Sequence, residues 1–205
     1  FWNIITHGGV SRILLYGEVG DGCAVDSSRV VTELMSVAAA SDKIEVHINS
    51  KGGDVFSGIA IYNALKSSPS NIAIYIDGVA ASIAAIIALC GKPLYMSRHA
   101  KLMLHAVSGG MYGNAAELRR TADTIEQLQG ELATMIASRC KDDPDNILKK
   151  YFNDGVDHWM SAQEAQQMGL IDGIIDMPQT PPSDKTEDIY NFRNQLQSEH
   201  NTHDM

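Results

Sequence analysis

Between Ile13 and Gly91 the chain alternates strand-like and helix-like segments, and the last pair meets at one serine. Ile13-Leu14-Leu15-Tyr16-Gly17 reads as a strand. Ser27 to Ala40, capped by Asp26 or Ser27, carries Val30, Val31, Leu34 and Val37 at helical spacing. Ile44 to Asn49 alternates apolar and polar residues and breaks at Ser50-Lys51-Gly52-Gly53-Asp54. Val55 to Lys66 is a helix, and Asn71 to Asp77 a strand. The segment Asp77-Gly78-Val79-Ala80-Ala81-Ser82 then runs into an apolar helix that Gly91 stops. This βαβαβα order dictates an α/β fold of stacked βα units with a largely parallel sheet. Ser82 either caps the apolar helix or presents its hydroxyl to chemistry.

Beyond Gly91, Pro93–Ser97 and Lys101–His105 read as two short strands, and Ala106 to Asn114 as a glycine-rich loop. Ala115 to Cys140 is the longest helical pattern, and at about 1.5 Å per residue it spans roughly 39 Å. That is more than one domain needs for its own core, so the helix either protrudes as a dimerisation element or lies across the domain. Tyr151 to Trp159 is short and acidic. Ser161-Ala162-Gln163-Glu164 is a capping box opening a brief helix that Gly169 ends, and Leu170 to Ile175 is a last strand. From Pro178 the chain is polar, with one weak helix around Ile189 to Leu196. The expected division is a domain over 1–176 and a flexible tail over 177–205.

With 205 residues and a net charge of −9, the chain is sized for one core and poorly suited to nucleic acid. Cys23, Cys90 and Cys140 are widely spaced and include no CxxC pair. They predict neither disulfides nor a zinc site, and reduced thiols fit a cytoplasmic protein. No apolar run is long enough for a membrane span, and the start lacks the basic region of a signal peptide. Phe1 suggests that the initiator residue is missing.

Serine attack on an amide needs a base, an orienter for that base and donors for the oxyanion. Ser82 opens a helix, so the Ile83 N–H is a candidate donor, and Gly52-Gly53 after a strand supplies another. His105 ends a strand, with Lys101 on the same strand face as a rival base that spacing does not separate from it. Asp157 lies just before the capped helix. His7, His47, His99, His158, His200 and His203 show no metal-ligand spacing and are read as structural.

These residues together resemble the Clp protease proteolytic subunit (ClpP) family of the ClpP/crotonase fold. Ile48-Asn49-Ser50-Lys51-Gly52-Gly53-Asp54-Val55 with Gly58 to Asn63 is similar to the family's glycine segment. Gly78 to Ala85 is similar to its nucleophile segment, Leu102 to His105 with Gly109, Gly110 and Gly113 to its histidine segment, and Asp157 to Ala165 with Gly169 to Asp172 to its acid segment. The resemblance spans roughly residues 10 to 176. It implies a spiral of βα units with a protruding handle helix at Ala115, and a serine endopeptidase with Ser82 as nucleophile, His105 as base and Asp157 as orienter. The Gly53 and Ile83 N–H groups become the oxyanion donors. No metal or organic cofactor is implied. An extended peptide would lie between the strand from Lys51 to Val55 and the loop from Ala106 to Asn114, and the homo-oligomer would be a heptameric ring, stacked in pairs.

Gly52 to Phe56, Tyr62 to Leu65 and Gly113 to Leu118 look most like the phage and prophage branch, whose head maturation proteases trim capsid or scaffold proteins. Lys51 departs from the family's usual proline, and the segment before Val10 is too short to resemble the axial-loop region. Docking of an AAA+ unfoldase, the housekeeping Clp role, therefore stays open. Rivals are a crotonase-like acyl-CoA enzyme, which does not need Ser82, His105 and Asp157 together, and a non-catalytic assembly subunit.

Overall fold

A computed structural model describes residues 4–7 and 9–176. The 176/177 domain boundary falls at the edge of that span, and the tail and its expected helix lie outside it. The elements are β1 (Ile4–His7), β2 (Val10–Tyr16), α1 (Ser27–Ala38), β3 (Lys43–Ser50), α2 (Val55–Ser67), β4 (Ile72–Ala81), α3 (Ile83–Ala88), β5 (Leu94–Ser97), β6 (Lys101–Leu104), α4 (Ala115–Cys140), α5 (Pro144–Tyr151), β7 (His158–Ser161), α6 (Ala162–Gln167) and β8 (Gly173–Ile175). The sheet order is β1-β2-β3-β4-β5-β8, with β2 through β8 along that path parallel and β1 antiparallel at the edge. In β2 and β3 every second residue is buried, because helices cover one face of these strands and the other stays more open. Val30, Leu34 and Val37 of α1, Ile61, Tyr62 and Leu65 of α2, and all of α3 fill the covered side. The structure is the expected α/β fold, with two elements the periodicity did not reveal. One is β1, which pairs with the start of β2. The other is α5, marked by an Asp143 cap and Pro144 in the first turn.

The decisive irregularity is in β4. Ile48 pairs with Ile76, but Ser50 pairs with Ala80, so β4 advances four residues while β3 advances two. Before the irregularity β4 pairs with β5; beyond it, Val79 to Ala81 pair with Lys101 to Met103 of β6, which in turn pairs with β7. The strand thereby turns out of the main sheet into a side branch, β4-β6-β7. Asp77 sits in the irregular stretch and accepts from the Tyr16 hydroxyl at 2.5 Å, with His47 Nδ1 at 2.9 Å from the same carboxylate. Burial, with the Asp77 carboxylate beside it, pushes the Tyr16 hydroxyl above its usual range, so it stays a donor. Gly78 makes room there for the exposed Asn49 side chain: a Cβ would lie 2.7 Å from Asn49 Oδ1 and make that side chain swing aside.

The long helix α4 begins at a capping box formed by Asn114 and Glu117 and runs 26 residues. Its fully buried residues, Leu132, Ala133, Ile136 and Ala137, all lie toward the C-terminal end. The N-terminal half buries none, which is the behaviour of a projecting helix rather than one lying across the core. The C-terminal end is fastened by Arg139, only 12% exposed. Its guanidinium donates to Leu170 O (2.9 Å), Lys92 O (3.2 Å) and Asp172 Oδ2 (2.7 Å). Burial alone would raise the Asp172 pKa. The Arg139 hydrogen bond, the Leu94 N–H and the Arg139 charge outweigh it and hold the carboxyl below its ordinary value. A depressed carboxyl contributes stability above its unfolded pKa and loses it as pH falls through the folded one. Arg139→Met is therefore expected to cost about 2 kcal/mol in urea unfolding at neutral pH. Its deficit against wild type should shrink as the pH is lowered below about 4.

Candidate active site

The side branch fixes what the sequence left unconnected. In the antiparallel β6/β7 register, Lys101 faces Ser161 and Leu104 faces His158, so the next pair outward is His105 and Asp157. In the parallel β4/β6 register, Ala81 faces Met103, and the Ser82 N–H donates to Met103 O at 3.0 Å. All three residues thus emerge at one edge of the branch. His105 Nε2 lies 2.8 Å from Ser82 Oγ, and His105 Nδ1 lies 3.2 Å from Asp157 Oδ1. Lys101 begins β6, four residues before His105 and about 13 Å away along the strand. It lies opposite Val79, so the rival base is at the wrong end of the strand.

Ser82 has φ 55° and ψ −129°, a region that residues with a Cβ rarely occupy. Its side chain makes no capping hydrogen bond to α3; the hydroxyl turns to His105 instead, so the simple cap reading is not what the structure adopts. The unusual backbone arises because the chain must leave β4 and enter α3 at a single residue. Such a conformation costs about 1–3 kcal/mol and persists only where packing enforces it. Here the buried residues of α3 supply that packing.

The glycine turn packs against the same corner. A Cβ on Gly52 would lie 2.8 Å from Ala81 O and from Ser82 Cβ. Gly53 forms one parallel bridge with Val19, in which Val19 N–H donates to Gly52 O (3.0 Å) and Asp54 N–H to Val19 O (2.8 Å). That pattern turns the Gly53 N–H away from Val19. A Cβ on Gly53 would sit 2.0 Å from Val19 O, so no other residue fits. Ile83, as the first residue of α3, also has an N–H with no partner in its own helix. The extended strand expected from Lys51 to Val55 is shorter than anticipated: it is this single bridge, and Val55 already opens α2 behind the Asp54 cap.

Ser82, His105 and Gly53 stand in an open cleft of about 50 Å³, also lined by Ser108, with an apolar side formed by Val55, Ile83, Ile86, Leu104, Leu132 and Phe152. Val107, on the segment after His105, also lines it, and Gln129 of α4 holds that segment by accepting the Val107 N–H at 3.1 Å. Sequence reasoning did not find this wall. Leu132 was visible only as one of a helix's apolar positions, and Phe152 belongs to the cap of α5, whose Asp143-Pro144 start was the available signal. Among the described residues no cluster of His, Cys, Asp or Glu could hold a metal ion, and no helix is long and apolar enough to cross a membrane.

The family model for Clp protease matches residues 9–178. The chain belongs to the Clp protease family. It is 34% identical over 169 residues to the ATP-dependent Clp protease proteolytic subunit of Bacteroides thetaiotaomicron, covering 81% of this chain and 75% of that relative. It is 32% identical over 174 residues to the ATP-dependent Clp protease proteolytic subunit 2 of Corynebacterium efficiens, covering 84% and 86%. A solved ClpP1 variant from Listeria monocytogenes superposes with a TM-score of 0.71 at 24% identity, over 81% of this chain and 91% of that one. That likeness speaks for the fold.

Two substitutions separate backbone strain from chemistry. Because both remove the hydroxyl, Ser82→Gly is expected to be more stable than Ser82→Ala by about 1 kcal/mol in urea unfolding, as glycine accepts the positive φ. Gly53→Ala should lose upwards of about 2 kcal/mol in the same measurement, from the clash with Val19 O and the φ of 149°.

Proposed function

We propose that this member of the Clp protease family is a serine endopeptidase in which Ser82 is the nucleophile. The observation that carries the reading is the continuous line Ser82 Oγ, His105, Asp157, at 2.8 Å and 3.2 Å. His105 Nε2 takes the hydroxyl proton as Ser82 attacks the scissile carbonyl, and later returns it to the leaving amine. Asp157, on Nδ1, fixes the tautomer and steadies the imidazolium. The Gly53 and Ile83 N–H groups flank Ser82 and receive the oxyanion of the tetrahedral intermediate. Water then repeats the sequence on the acyl-enzyme. Among the rivals, an acyl-CoA enzyme leaves the Ser82–His105 contact without a purpose.

The substrate is an extended polypeptide whose residue before the cut places an apolar side chain against Ile86, Leu132 and Phe152. The peptidase domain spans residues 1–176, followed by a tail over 177–205. The uncovered N-terminal half of α4 supports a handle between stacked heptameric rings. The biological setting is a phage or prophage maturation protease acting on capsid or scaffold proteins, on the strength of the Gly52–Phe56, Tyr62–Leu65 and Gly113–Leu118 segments. A housekeeping role with an AAA+ unfoldase is the second reading, and it is favoured by the names of the curated relatives, which are ATP-dependent proteolytic subunits.

A fluorophosphonate probe tests the chemistry. Wild type and Lys101→Ala should label, while Ser82→Ala should not. His105→Ala and Asp157→Ala should fall by about 100-fold or more in labelling rate. Labelling retained in His105→Ala but lost in Lys101→Ala would reverse the assignment of the base. Among fluorogenic peptides, leucine before the cut should be preferred over aspartate by at least about tenfold in kcat/KM, since burying an unpaired carboxylate on that wall is costly.

A further inference from the structure

Asp157 is a poorly held carboxylate. Its side chain is 55% exposed, and among the described residues His105 is the one group at hydrogen-bond distance from it. An orienting carboxylate is commonly buried and fixed by several donors. Here its direction has to come from the backbone on either side, and that backbone is clamped. The Val156 N–H donates to Asp154 Oδ1 at 3.0 Å across Gly155, which turns at φ 69°. On the other side, His158 Nε2 lies 3.1 Å from the same Asp154 carboxylate. The His158 ring stands edge-on to Tyr151, with centroids 5.2 Å apart at 88°, and Tyr151 is buried. His158 is also paired with Leu104 in the β6/β7 ladder. Residues 156 and 158 are thus tied to one carboxylate, and Asp157 is the residue between them.

We infer that Asp154 and His158 form a clip that aims Asp157 at His105, making them positioning residues for the reaction. The inference rests on the serine peptidase reading above. It assigns a role to a histidine whose spacing suggested only a structural one. Asp154 serves both ties: the Val156 N–H and the His158 ring together hold its carboxyl below the ordinary range, so it stays a charged acceptor. Without the clip, the turn at Gly155 is free to swing, since a glycine with open space where a Cβ would stand resists rotation little. A displacement of about 1 Å in a reacting group can cost up to 100-fold, so a loosened orienter should give a smaller, measurable loss.

The test uses the full chain, with active sites titrated by the fluorophosphonate probe and turnover measured on a fluorogenic peptide. Asp154→Ala is expected to lower kcat about tenfold with KM unchanged. His158→Phe, which keeps the aromatic contact with Tyr151 but lacks the ring nitrogen, should lower kcat in the same way. Asp154→Asn keeps an oxygen for the Val156 N–H and should recover much of the loss. In an Asp157→Asn background, Asp154→Ala should have no further effect on kcat, because the group it aims is no longer ionised. A purely structural clip would reduce the titratable fraction of sites and leave kcat per site alone, and that result overturns the inference. So would equal and additive losses in both backgrounds. Failure of wild type to react with the probe overturns the peptidase reading and this inference with it, whereas a reactive wild type with unaltered Asp154→Ala overturns the clip alone.

Discussion

Everything at the site depends on β4 changing partners partway along its length. A strand paired with the same neighbour from end to end would deliver Ser82 to the rim of the main sheet, beside β5. The two additional residues between Ile76 and Ala80 redirect it to β6 instead. Only beside β6 does Ser82 meet a strand that a histidine, His105, directly follows and that is itself paired with the strand Asp157 precedes. The irregularity is held from both sides: the Tyr16 hydroxyl and His47 converge on Asp77, and Asn49 fills the space that Gly78 leaves. A bulge so braced is a fixed part of the fold, and it divides the strands into a main sheet and a side branch that carries the candidate site.

The second dependence is on close backbone approach. Gly52 lies against Ala81 and Ser82, Gly53 against Val19, and Gly58 against Ile83, in each case closer than a Cβ allows. These contacts press the glycine turn and α2 onto the start of α3, and they enforce the strained backbone at Ser82. The strain and the apolar burial of α3 are two sides of one arrangement. A six-residue helix has little stability of its own, and it stands because all six residues are buried. A sharp turn braced by close backbone contacts gives the Ser82 hydroxyl little freedom to wander.

Much of this was legible in the chain. The α/β class followed from alternating periods of two and 3.6, and the limits of α4 coincided with the expected residues 115 and 140 because its cap, its apolar rows and its end are all local signals. The capping box at Ser161 and Glu164 was likewise readable. What failed was also local in cause. β1 is a short edge strand with little apolar alternation, and α5 is only 8 residues long, too short for its period to stand out along the chain. The extended segment from Lys51 to Val55 gave way to a single bridge because Asp54 caps α2 immediately after the glycine turn.

The candidate residues show where sequence reasoning stops. Spacing put a serine, two possible bases and an aspartate at the ends of elements, and it did not choose between His105 and Lys101. The choice belongs to register: parallel pairing with β4 sets Lys101 against Val79 and carries His105 past the strand's end to Ser82, while antiparallel pairing with β7 sets His105 across from Asp157. The apolar wall from Ile86, Leu132 and Phe152 was equally out of reach, since its members come from three helices far apart in the chain. The sequence alone determined the order of elements, the glycines that must remain glycine and the residue types available for chemistry, because each is written in a few neighbouring residues. Only the tertiary structure decided which strand β4 pairs with and in what register, because the pairings of the branch join residues up to 60 positions apart, as Lys101 and Ser161 are, and no local period encodes them.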